Sequence, residues 1–253
     1  MLRVERRGSV VSMWLARPEV KNAFNAELIQ SVSLAMRAIA EDVRAVVIAA
    51  EGTVFCAGGD LNWMRSAADQ TRDENERDAR ELYRMLAAIR DCPVPVIARV
   101  QGACFGGGCG IVAAADIVVA QENAKFAFSE VKLGLVPATI SPFVLPKIGA
   151  SAARNLFTTG AVFDAAAALR IGLVHDVRDE AGLDSGVNAA LAGILAASPA
   201  AVQRAKRLAM EPTLDGDAAA ALLAEFRDGA DGREGVTAFL EKRKPSWYEE
   251  VSE

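Results

Sequence analysis

The chain has 253 residues, of which 52% are hydrophobic and 24% charged, with a formal net charge of -5 and a single histidine. That length and composition fit one large globular domain or a domain with a small appendage, and the absence of a basic stripe argues against a nucleic-acid partner. Residues 1–7 carry no signal-like apolar stretch and no run approaches the ~20 apolar residues of a membrane span, so a soluble, cytoplasmic protein without a membrane partner is expected.

The strand-like Val10-Val-Ser-Met-Trp-Leu15 is closed by Arg17-Pro18. Asn25 is a candidate cap for a helix over about 26–42, where Ile29, Val32, Met36 and Ile39 recur at helical spacing. Ala45–Ala50 is an unbroken apolar run before Glu51-Gly52 and reads as a buried strand. Residues 66–80 are polar and charged, which predicts a surface loop, followed by a helix to Arg90 with Leu82, Met85, Leu86 and Ile89 on one face. Val94–Val100, 116–120 and 125–128 read as further strands, and Leu173–Val177 as the last. Alanine-rich helices are predicted over about 150–158, 164–171, 184–197, 199–210, 217–229 and 233–243, with Ser198 capping and Pro199 opening the fourth of these. Alternating strands and helices followed by helices alone predict an α/β core over 1–195 and a helical region over 196–253 that packs on itself or on a neighbouring subunit.

Three segments concentrate chemistry. Val54-Phe-Cys-Ala-Gly-Gly-Asp-Leu61 follows the strand 45–50, with Asp60 placed to cap a short helix. Gly102-Ala-Cys-Phe-Gly-Gly-Gly-Cys-Gly110 joins a strand to the apolar Ile111–Ala115. Glycines packed into such a turn serve either positive φ angles or a ligand pressed against bare N–H groups at a helix N-terminus. The third, Phe126-Ala-Phe-Ser-Glu-Val-Lys-Leu-Gly134, sets Glu130 in apolar surroundings that favour a raised pKa and proton transfer. The four cysteines show no CxxC spacing and there is one histidine, His175, so no metal site is expected; the cysteines read as buried fillers and His175 as a structural residue ahead of a strand. Gly108-Cys-Gly-Ile-Val-Ala113 matches GxGxxA with Glu130 twenty residues past Gly110, but the preceding strand ends near Val100, too early for a dinucleotide fingerprint.

Six segments in register carry a resemblance: Arg17-Pro-Glu-Val-Lys-Asn-Ala23, Phe55–Leu61, Gln101-Gly-Ala with Gly106-Gly-Gly, Ala115–Ala120, Phe128–Gly134 and Glu234–Lys244. Together they resemble the enoyl-CoA hydratase/isomerase (crotonase) family across nearly the whole chain. The resemblance implies a spiral of ββα turns, a helical C-terminal region that builds homotrimers or dimers of trimers, and an acyl-CoA thioester substrate with no separate cofactor. It implies that the amides of Gly59 and Gly107 hold the thioester oxygen and that Glu130 moves protons. It places Lys21, Ala23, Ala57, Asp60, Leu61, Trp63, Gly106, Gly110, Leu133, Phe239 and Lys242 around the substrate, with Lys21, Lys242 or Lys244 facing CoA phosphates.

One position departs from the family pattern. Familiar hydratases of this kind pair two glutamates; Glu130 matches the second, whereas the first falls on Gly110. A lone carboxylate suits a 3,2-enoyl-CoA isomerase, a hydratase whose substrate brings its own carboxylate, or a non-catalytic acyl-CoA-binding protein. Phe105–Ala114 together with Gly134-Leu-Val-Pro-Ala-Thr-Ile-Ser-Pro142 resembles the bacterial hydratases of branched, carboxylated enoyl-CoAs such as methylglutaconyl-CoA in leucine breakdown or isohexenylglutaconyl-CoA. Hydration is therefore the leading expectation.

Overall fold

The computed structural model describes residues 1–251. In chain order, strands β1 (Leu2–Arg7) and β2 (Val10–Leu15) precede helix α1 (Ala26–Arg37), β3 (Ala45–Ala50), α2 (Leu61–Ala68) and α3 (Arg72–Arg90). Then come β4 (Val96–Val100), β5 (Ala103–Phe105), α4 (Gly107–Ala114), β6 (Ile117–Gln121), β7 (Lys125–Ala127) and α5 (Ser141–Thr159). The chain continues through β8 (Phe163–Asp164), α6 (Ala165–Arg170), β9 (Asp176–Arg178), α7 (Leu183–Ala196), α8 (Pro199–Met210), α9 (Gly216–Asp228) and α10 (Ala230–Leu240).

The larger sheet runs β1-β2-β3-β4-β6-β9, parallel throughout except for the β1–β2 hairpin, and a smaller sheet runs β5-β7-β8. Two successive turns of chain, β4-β5-α4 and β6-β7-α5, each give one strand to the large sheet and a shorter one to the small sheet before a helix returns, as in the ββα spiral expected from the resemblance. The unbroken apolar run of β3 has a direct cause: Val46, Ile48 and Ala50 enter the larger core, while Ala45 and Val47 face a second core built with Leu183, Val187 and Leu191 of α7. A strand buried on both faces has no polar positions to alternate.

Several expectations are corrected. The polar stretch 66–80 is not a loop but the end of α2 and the first half of α3, whose start is fixed by a capping box between Thr71 and Glu74. Only Met85, Leu86 and Ile89 of α3 are buried, so its first two turns lack the apolar stripe that periodicity detects. Helix α1 stops at Arg37 rather than near 42, and α5 reaches back from 150 to Ser141 through a kink at Gly149 (φ 70°). Strand β1 escapes a hydrophobic pattern because it is an exposed edge with charges at Arg3, Glu5 and Arg7. Among the described residues no single helix is long and apolar enough to cross a membrane.

The helices after the sheet are tied to it by polar contacts. Lys206 of α8 donates to Asp116 Oδ2 at 2.7 Å and to Val94 O at 3.1 Å. Arg44 reaches Ile194 O, Ala197 O and Trp247 O, which anchors the C-terminal segment beside α7.

Candidate active site

Four short segments lie side by side at one end of the spiral. Ala57 N donates to Lys21 O (3.0 Å), Phe24 N to Gly58 O (2.7 Å) and Asp60 N to Phe24 O (2.8 Å), so residues 21–24 run along 57–60. Cys56 N donates to Ala103 O (3.1 Å) and Phe105 N to Cys56 O (2.9 Å), which joins 56–60 to β5. Gly106 N donates to Ala127 O at 2.9 Å, which fixes the glycine turn against β7 and hence against Glu130. The backbone thus brings Lys21, Ala23, Ala57, Gly59, Asp60, Gly106, Gly107 and Glu130 together.

The first of these loops is locked from beneath. Asp60 caps α2 by accepting from Asn62 N (2.8 Å) and Trp63 N (3.4 Å), and its other oxygen pairs with Arg17 at 2.9 Å. Arg17 also donates to Ala23 O (2.6 Å), so one guanidinium ties both segments. Asn22 is fully buried at a positive φ of 53°, accepts from Arg17 N and donates to Glu51 O and Val54 O. The backbone N–H bonds, joined by Arg17, hold the Asp60 carboxyl below its ordinary range. A folded-state pKa below the unfolded one gives stability that is present above the usual carboxylate range and lost as pH falls through the depressed value. Replacing Asp60 with Ala is expected to cost about 1–3 kcal/mol, from the lost cap and a nearly buried guanidinium left without its partner. It should also lower kcat through the Gly59 loop; urea melts and steady-state kinetics check both, and an unchanged melt would refute the capping role.

The second loop presents the N-terminus of α4. Gly106 has φ 50°, a conformation open to glycine, and Glu130 Oε1 lies 3.4 Å from where a Cβ on Gly106 would stand. A Cβ on Gly107 would meet the ring of buried Phe24 at 2.6 Å, and one on Gly108 would meet Cys56 Cβ at 2.8 Å. Among the described residues no hydrogen bond engages the amide N–H of Gly59 or of Gly107. Both glycines are partly exposed. Free donors at a helix N-terminus suit an oxygen that gathers negative charge.

Glu130 opens a one-turn 3₁₀ helix, Glu130–Leu133. Burial raises its pKa, offset only in part by its own backbone N–H, and its Oε2 is buried without a hydrogen-bond partner among the described residues. No charged partner contributes to the shift, so desolvation alone is its main cause.

Other sequence-derived candidates fall differently. Leu61 and Leu133 are 69% and 63% exposed beside this cluster, and Trp63 is half-buried against the larger core. Gly110 lies in the second turn of α4, where a Cβ would meet Ile140 and Leu86 rather than open space. Phe239 (82% exposed) and Lys242 stand at the end of α10, and no described contact joins them to the four segments. Lys244 is taken up by Glu250 and the Tyr248 ring. His175 accepts from Val118 N through Nδ1 at 2.9 Å, a structural bond, and the four cysteines are buried. Gly108, first glycine of the GxGxxA match, lies inside α4, so a dinucleotide turn is absent at that place. Sequence reasoning assigns no site role to Phe24, Arg17, Leu86 or Ile140: Arg17 stands out only as a strand end and in a shared motif, Leu86 only as part of an apolar helix face, and Ile140 only within the segment Gly134–Pro142.

A family model described as enoyl-CoA hydratase/isomerase matches residues 5–250. The crystal structure of an enoyl-CoA hydratase from Shewanella pealeana is similar at TM-score 0.90 and 36% identity, over 97% of this chain and 95% of that one. Pseudomonas aeruginosa AtuE is similar at TM-score 0.93 and 34% identity, over 98% and 99% of the two chains. The crotonyl-CoA hydratase of Syntrophomonas wolfei is 32% identical over 253 residues, 96% of either sequence.

Proposed function

Because the chain belongs to the enoyl-CoA hydratase/isomerase family, whose homologues are lyases, we propose that it adds water to a 2-enoyl-CoA with a branched or carboxylated acyl group, using Glu130 as its one acid–base residue. The observation that carries this reading is the buried, unpartnered Oε2 of Glu130, whose carboxyl lies against Gly106, the residue before the free Gly107 amide. Glu130 takes a proton from water as the water oxygen bonds to C3. The electron pair of the double bond passes to the thioester oxygen, which Gly59 N–H and Gly107 N–H hold as an enolate, and the proton returns to C2. Fixed donors need no reorganisation as that charge develops. Water and thioester suffice for this sequence, so no cofactor is called for. A carboxylate on the substrate takes the orienting role that the family's first glutamate plays, since position 110 is glycine.

The deciding experiment follows conjugated-thioester absorbance over straight, branched and carboxylated enoyl-CoAs. The expected result is loss of absorbance, fastest with a branched, carboxylated 2-enoyl-CoA. Appearance of absorbance from 3-enoyl-CoAs alone would make it an isomerase, a reading that a single proton carrier also accommodates. Binding without turnover across the panel would make it an acyl-CoA-binding protein.

Residues 196–253 are proposed to form the oligomer. An apolar groove between α8 and α9 is lined by Leu208, Leu222, Leu223 and Phe226, and α10 exposes Val236, Phe239 and Leu240. A patch of that kind is the usual mark of a subunit contact. In a homotrimer or dimer of trimers, Phe239 and Lys242 would serve a neighbour's site, and Lys21 would face CoA phosphates.

A further inference from the structure

The glycine at 110 marks a filled space. Gly110 N donates to Gly106 O at 3.3 Å, so the two glycines are one helical turn apart. A Cβ on Gly106 would face Glu130, whereas a Cβ on Gly110 would lie 2.8 Å from Ile140 Cγ2 and 3.0 Å and 3.3 Å from the two methyls of Leu86. Leu86 projects from α3 and Ile140 stands at the N-terminus of α5; both are fully enclosed in the larger core. Ile140 is β-branched, so its Cγ2 cannot swing aside without a change of χ1. These two side chains, one from α3 and one from the start of α5, occupy the volume that a side chain at position 110 would enter first.

We propose that Leu86 and Ile140 are specificity-determining residues that plug the space of a second acid at position 110 and so hold the enzyme to single-carboxylate chemistry. The proposal rests on Glu130 being the acid–base residue. It follows that placing glutamate at 110 alone would not build a two-carboxylate site, because the carboxyl would have to displace two packed side chains. Simple enoyl-CoAs, which bring no carboxylate of their own, are then poor substrates for a packing reason as well as a chemical one.

The test pairs a stability cycle with an activity cycle. Gly110→Ala is expected to lower Tm in the native background and to raise it in the Leu86→Ala/Ile140→Ala background, where the better helix former meets no obstruction. Gly110→Glu alone is expected to give no gain in crotonyl-CoA hydration, whereas Gly110→Glu combined with Leu86→Ala and Ile140→Ala should exceed both parents by at least about tenfold. A rise in Tm for Gly110→Ala in the native background would overturn the plug. So would a folded triple variant with no gain, or Gly110→Glu alone matching the triple. Should the variants carrying Leu86→Ala and Ile140→Ala fail to fold, the sign of the Tm change for Gly110→Ala in the native background still decides. Failure of the underlying reading has a separate signature: Glu130→Gln would keep its native turnover while the Tm cycle still inverted.

Discussion

Glu130→Gln is expected to lower turnover of the native acyl-CoA by about 10²–10⁴-fold while raising Tm at neutral pH. The two effects have one cause. Burial lifts the Glu130 pKa, and no cation stands by to compensate. The folded state therefore keeps this proton to higher pH than the unfolded state does. The stability linked to the group is full at low pH and is lost as pH rises through the folded-state value. Glutamine keeps the shape and removes the charge, so the penalty disappears together with the chemistry. In the native enzyme, kcat/KM should fall on the acid side with a midpoint above the usual carboxylate range, since the free enzyme needs an ionised base to take a proton from water. Stopped absorbance assays against pH and thermal melts at two pH values check all three. A folded variant that keeps its turnover would remove Glu130 from the mechanism, and one that melts lower than the native protein at pH 7 would refute the burial penalty. A merely structural carboxylate would not yield a gain in stability together with a loss of rate.

The parts of the fold legible in the sequence were those where one chemical signal dominates. The unbroken β3 run, the caps Asn25, Asp60 and Ser198, and the glycine turn all stand where their residues imply. What escaped depends on partners far along the chain. The strand β5 is three residues long and exists because β7 and the Cys56 bridge pair with it. The front of α3 carries charge all round and is announced only by a cap. At the candidate site the carboxylate, the cap and the amides belong to recognisable local motifs. Their supports do not: Phe24 lies 83 residues from Gly107, and the Ile140 and Leu86 that meet Gly110 come from opposite directions along the chain. Gly110 itself read as a missing acid; the structure adds that its space is filled.

Gly107→Ala is expected to reduce kcat by about 10²–10³-fold, the scale of losing one oxyanion donor, although the substitution leaves the N–H in place. The reason is the wall behind it. An added Cβ would stand 2.6 Å and 2.8 Å from two ring carbons of Phe24, a side chain only 1% exposed. The Phe24 main chain is held by bonds from its N–H to Gly58 O and from Asp60 N–H to its C=O, and its ring is enclosed in the larger core, so it has little room to retreat. Relief is expected from a shift of the α4 N-terminus, which would carry the amide away from the thioester oxygen it is proposed to hold, and overpacking of this kind adds a cost of about 1–3 kcal/mol in stability. Gly59→Ala provides the contrast. Its Cβ would meet only the flexible Met64 side chain, at 3.3 Å from Cγ and 3.4 Å from Sδ. Methionine yields rotamers cheaply, so that variant should lose less than about tenfold. Coupling Phe24→Leu to Gly107→Ala should recover part of the rate, since leucine removes the ring edge that forces the shift. If Gly107→Ala and Gly59→Ala lose activity equally, or if Phe24→Leu gives no recovery in a folded double variant, the loss does not arise from displacement of the Gly107 amide.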